Sequence, residues 1–216
     1  MILKKLTFLL LFFAQQVSAQ LHLQFLWGTE HMSLGKTYHI GQDSIKFDEL
    51  KMYLSDFHFQ KQTRQHHILG AQLIDLAEDQ SLTLFPDFPV SEYESMSFRF
   101  GLDSSYHVSE SVEGDLDPLK GMYWAWNSGY IQFKCTGTSS SIPLTDQTFE
   151  YHLGGYRQPF ETVLPMEIKI KGNKLILNIK PFFEHTVNFQ QVQRVMIPGR
   201  IAQWYCQELT EHFRSE

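Results

Sequence analysis

Two indoles one residue apart, Trp124 and Trp126, are the side chains of this sequence with the most chemistry open to them. Side chains two apart share a face of a strand. The pair could then stack on a flat ligand, face a cation, or simply fill a core. Nearby, Asp103, Asp115 and Asp117 could supply oxygens to a hard cation such as calcium; capping of turns is the plainer use for them. Ten histidines are scattered along the chain, and only His66 and His67 are adjacent. Neighbours on a strand point to opposite faces, so a metal site would have to be assembled from distant segments. For each histidine taken alone, a surface or hydrogen-bonded role is the ordinary reading.

Patterns that announce catalysis are missing. The sequence has no G-x-S-x-G elbow, no phosphate-cradling glycine loop and no H-E-x-x-H. Its carboxylates show no spacing that selects an acid–base pair. A binding protein, not an enzyme, is the expectation.

The elements that must position these groups read as strands. Leu21–Phe25, Met96–Phe100 and Ile131–Cys135 alternate apolar and polar residues. The same period-2 reading of Met52–Phe59 places Tyr53, Ser55, Phe57 and Phe59 on one face. Met166–Ile170 and Leu175–Ile179 flank Gly172-Asn173, as in a hairpin with a type II′ turn. Turn-forming stretches such as Gly137–Ser141 and Glu113–Pro118 separate the strands. The predicted fold is all-β, a sandwich of antiparallel strands, closed by a C-terminal helix over about 199–213. One apolar stripe of that helix carries Ala202, Tyr205, Cys206, Leu209 and Phe213.

At the other end, Lys4 and Lys5 precede an apolar run, and Val17-Ser18-Ala19 offers small residues for cleavage before Gln20. Residues 1–19 therefore read as a secretory signal and 20–216 as one domain, with no later segment of transmembrane length. An address outside the cytoplasm, periplasmic or secreted, follows. Losing Lys4 and Lys5 would take the formal charge from -6 to -8, which disfavours nucleic acid or an anionic membrane as partner. In an exported protein the two cysteines, Cys135 and Cys206, most simply form one disulfide; two separate buried thiols are the alternative.

Several segments resemble a known family. GLDSSYHVS from Gly101, GDLDP from Gly114 and GMYWAWNSGYIQFK from Gly121 are similar to the central signature of the MbnP-like proteins, periplasmic copper-binding proteins associated with methanobactin operons. LKMYLSDFHF from Leu50, Leu73–Leu76, FEYHLGGY from Phe149 and the stretch Arg194–Phe213 resemble further family segments in the same order. The resemblance implies a copper-binding β-sandwich in which one tryptophan is oxidised to kynurenine and joins histidines around the metal. It also implies a dihaem partner of the cytochrome c peroxidase type. Trp124 is slightly favoured over Trp126 as the modified residue. Two departures stand out: Phe25-Leu26-Trp27 replaces an F-x-H strand, and Met196-Ile197 replaces a Met-His. With both imidazoles gone, His31, His107 or His152 would have to substitute. The alternative is a metal-free module that binds a small ligand or a protein.

Overall fold

The computed structural model describes residues 20–108, 113–126 and 129–216; the expected signal segment lies outside them. In chain order the strands are β1 (Leu21–Trp27), β2 (Glu30–His31), β3 (Thr37–Ile40), β4 (Asp43–Lys61), β5 (Arg64–Asp75), β6 (Thr83–Leu84) and β7 (Ser95–Phe100). They continue with β8 (Tyr123–Trp124), β9 (Gly129–Ser139), β10 (Thr148–Gly154), β11 (Leu164–Lys169), β12 (Lys174–Asn178), β13 (Arg194–Val195) and β14 (Phe213–Ser215). The helices are α1 (Ser104–His107), α2 (Lys180–His185) and α3 (Arg200–Thr210).

Two sheets share one core. The smaller runs β14-β12-β1-β2, with β6 also on β1. The larger runs β11-β7-β4-β9-β10-β13, and β3, β5 and β8 attach to β4 and β9. Leu21, Leu23 and Phe25 of β1 meet Phe47, Leu50 and Met52 of β4 in a single apolar cluster. Most pairings are antiparallel, but β1 with β12 and β10 with β13 are parallel. The expected sandwich is present, as a mixed rather than purely antiparallel one.

The long strand β4 shows why simple alternation misleads. Its register slips between Phe47 and Glu49 and again between Ser55 and Phe57, where Asp56 has φ 53°. Each bulge adds a residue and reverses the faces that follow. Tyr53 and Ser55 therefore lie opposite to Phe57 and Phe59, correcting the single face expected for all four. Phe57 and Phe59 enter the sandwich core, while Tyr53 joins a second cluster on the outer face with Leu102, Met122, Trp124 and Tyr130. Tyr106, Leu116 and Tyr123 pack against the same cluster.

Other expectations change for identifiable reasons. The strands around Gly172-Asn173 do not form a hairpin: β11 pairs with β7 and β12 with β1, in different sheets. The flank of β12 that a hairpin partner would take is held by the C-terminus, where Lys174 and Glu216 exchange backbone hydrogen bonds of 2.9 and 3.0 Å. Gly137 lies inside β9 rather than in a turn, because the Lys46 carbonyl and the Phe149 ring leave no room for a side chain. Helix α3 stops at Thr210, and Phe213 belongs to β14, opposite Leu177.

The expected disulfide is not formed. Cys135 and Cys206 are free thiols, both buried in the core. The pairing of β9 with β10 puts Tyr151 beside Cys135, and the Tyr151 ring meets Tyr205 edge-on at 5.5 Å. Helix α3 is thus seated on Tyr151, one strand over from Cys135. Burial raises both thiol pKa values and keeps the sulfurs protonated.

Candidate functional site

The outer cluster is anchored from several directions. Asp56, displaced at its bulge, accepts a 2.7 Å hydrogen bond from the Tyr106 hydroxyl. Asp115 accepts from the Leu73 amide at 3.0 Å and from Lys120 at 2.8 Å, while its carbonyl accepts from Tyr53 at 2.7 Å. Asp103 caps α1 through the Ser105 amide, and Asp117 accepts from the Leu119 amide. The three carboxylates proposed for a cation are thus held in separate capping and anchoring bonds. Among the described residues no group of three His, Cys, Asp or Glu is placed to hold a metal ion.

His107 is the hub of this layer. Its Nδ1 accepts a 3.0 Å bond from the Tyr130 amide, which leaves Nε2 to carry the proton and donate to the Leu102 carbonyl at 3.0 Å. Gln132 grips the same residue, accepting from the Leu102 amide at 2.8 Å and donating to its carbonyl at 3.2 Å. The imidazole stacks on Tyr156, centroids 4.0 Å apart and planes 13° apart, and Arg157 lies over the other ring at 4.9 Å. Burial lowers the His107 pKa to about 4; the Leu102 bond and Asp103 oppose the shift, and Arg157 adds to it. This is a neutral imidazole with both nitrogens in use.

The other candidate imidazoles lie elsewhere. His152 is opposite Lys134 on the outer face, and its pKa is lowered by burial and then by that ammonium. His31 is exposed in β2, opposite Leu26. The replaced family positions also separate. Trp27 is packed in the sandwich core against Tyr38, Phe47 and Phe183, whereas Ile197 is 62% exposed and fills no interior space.

The two indoles have opposite surroundings. Strand β8 ends at Trp124 and Trp126 lies in the turn beyond, yet the rings touch, with centroids 5.5 Å apart and planes at 40°. Trp124 is 5% exposed and Trp126 is 62% exposed. Trp124 lies over Gly154, where an added Cβ would come within 2.8 Å of the indole. Its Nε1 is buried without a hydrogen-bond partner among the described residues. An unpaired buried donor costs about 1–3 kcal/mol, so the ring is held there by packing. The next residue, Gly155, has φ 144° and packs under Pro198. A cleft of about 150 Å³ opens beside it, lined by Tyr156, Arg157, Phe160 and Pro198. The double glycine thereby connects the indole pair to the stretch that carries Ile197.

Sequence reasoning selected the indoles and His107. It assigned no role to Gly154, Gly155, Tyr156 or Gln132, although FEYHLGGY carries three of them and the adjacent glycines signal close backbone approach.

A family model for MbnP matches residues 15–198. The chain belongs to the MbnP family. A solved structure described as MbnP from Methylosinus trichosporium shares the fold: TM-score 0.56, 14% identity, covering 84% of this chain and 82% of that one. None of the curated proteins matches. Among the described residues, the copper that the MbnP resemblance implies has a poor donor set at this corner. His107 is closed by its own hydrogen bonds, and the two replaced positions are a core tryptophan and a surface isoleucine.

Proposed function

We propose that this chain is an exported MbnP-family binding protein that engages a protein partner at the corner formed by Trp126, Gly154-Gly155 and Ile197. In this reading it works there without an imidazole copper cage. The observation that carries the proposal is the exposure of Trp126 on top of an enclosed Trp124. Tryptophan is enriched among the residues that concentrate binding energy at interfaces. Single exposed apolar side chains are ordinary, but contiguous ones mark interaction surfaces. Met196 and Ile197, which precede the Pro198 that packs on Gly155, are also exposed. Export is supported by the leader-like residues 1–19 and by the family.

The test is photo-crosslinking in the native host, with a photoreactive phenylalanine replacing Trp126 or, as a control, His39. A discrete protein adduct from the first position alone is expected. Equal adducts from both, or none, would contradict the proposal.

A second reading is favoured by the 5.5 Å contact between the indoles. A dihaem partner of the class implied by the resemblance would oxidise one of them to kynurenine, with Trp126 the accessible entry point. Peptide mass spectrometry of protein from the native host decides this: an unmodified Trp124–Trp126 peptide would rule it out.

A further inference from the structure

At the far end of the larger sheet four strands lie side by side, and their register builds one polar row. His67 of β5 pairs with His58 of β4, His58 with Ser97 of β7, and Ser97 with Glu167 of β11. Direct cross-strand partners project to the same face. Phe57, Phe59, Met96, Phe98 and Ile168, the alternate residues of these strands, are buried in the core, so the row faces outward. The two imidazole centroids are 4.1 Å apart with planes at 56°. His58 is half-buried and His67 exposed. Together with Ser97 and Glu167 they line a cleft of about 270 Å³ that contains no lysine or arginine. The small Ser97 side chain keeps the space between His58 and Glu167 open.

We propose that His58 and His67 together bind a divalent cation of intermediate softness, Zn(II) or Cu(II), as a two-imidazole site. Imidazole suits these ions. Two imidazoles at about 2.0–2.1 Å from a tetrahedral ion place their centroids about 5 Å apart. The observed 4.1 Å is about 1 Å short of that, so the rings must part and turn one nitrogen each toward a common point. Both sit on paired strands, so the second metal–nitrogen bond forms within one rigid frame and loses little freedom. With two protein imidazoles the ion keeps coordination positions for water or an outside ligand, unlike a closed structural site. This site is separate from the tryptophan corner, and either assignment stands if the other fails.

The experiment is a Zn(II) titration of the chelator-treated mature protein, followed by imidazole nitrogen–proton NMR spectra. The ring resonances of His58 and His67 should shift together and saturate at one equivalent. His58→Gln and His67→Gln should each weaken binding by at least roughly tenfold, and Trp126→Phe not at all. Both histidines lie on the outer face, so the variants keep the core, as circular dichroism checks. Unshifted His58 and His67 resonances would overturn the proposal. So would a single-histidine variant that binds as tightly as the parent, the behaviour of one surface imidazole.

Discussion

Acid should loosen the outer layer before it unfolds the sandwich, and His107 is the reason. In the native state Nδ1 accepts the Tyr130 amide, and a proton added there would set two donors against each other. Burial holds the folded pKa at about 4, against an ordinary 6.5. Between these values the unfolded chain binds a proton that the folded chain refuses, so stability rises with pH. The neutral form's full contribution is present above about pH 6.5, declines as pH falls below that, and is gone near pH 4. The difference corresponds to about 3 kcal/mol at most. The assay is urea unfolding at several pH values for the parent and His107→Gln. Carboxylate titrations are common to both and cancel, so the parent should lose up to about 3 kcal/mol more than the variant between pH 7 and 4. Direct observation of the His107 ring by NMR gives the pKa independently. A native pKa near 6.5, or equal pH slopes in the two proteins, would refute the reasoning.

Gly154→Ala should push Trp124 from its seat, since the new methyl would also come within 3.0 Å of the Tyr130 carbonyl; a loss of about 1–3 kcal/mol and a red-shifted indole emission are expected, and unchanged emission would contradict the packing. Both cysteines should resist a thiol reagent in the native protein and react fully in denaturant, with Cys206→Ala costing only about 1–2 kcal/mol. A protein that carries no reactive thiol even when denatured would mean that the disulfide exists. Trp126→Ala should change stability by less than about 0.5 kcal/mol while reducing co-purification of the partner from the native host, and a large loss of stability would mean that the indole is structural.

The parts of the fold visible in the sequence are those governed by local alternation. Leu21–Phe25, Met96–Phe100 and Ile131–Cys135 all lie within observed strands. What escaped is set by distant partners. The bulge at Asp56 has no glycine to announce it, and its displaced carboxylate is used by Tyr106, fifty residues away. Gly172-Asn173 carries the residues of a tight turn, but the choice between a hairpin and a crossover rests on the C-terminal strand that takes the place beside β12. The two cysteines fall on inward faces as their patterns indicate; which strand α3 covers is decided by tertiary packing on Tyr151. At the site, the W-x-W spacing pointed to neighbouring indoles. Their unequal exposure depends on Gly154 and on the turn after Trp124, neither of which spacing reveals.

The most direct test of a metal-free binding corner is copper retention. Mature protein carrying His58→Gln and His67→Gln, which removes the second proposed site, is exposed to Cu(I), dialysed and assayed for metal alongside the same protein with Trp124→Phe or Trp126→Phe. The account predicts no stoichiometric copper in any of the three. One retained copper per chain that disappears with either tryptophan substitution would contradict it.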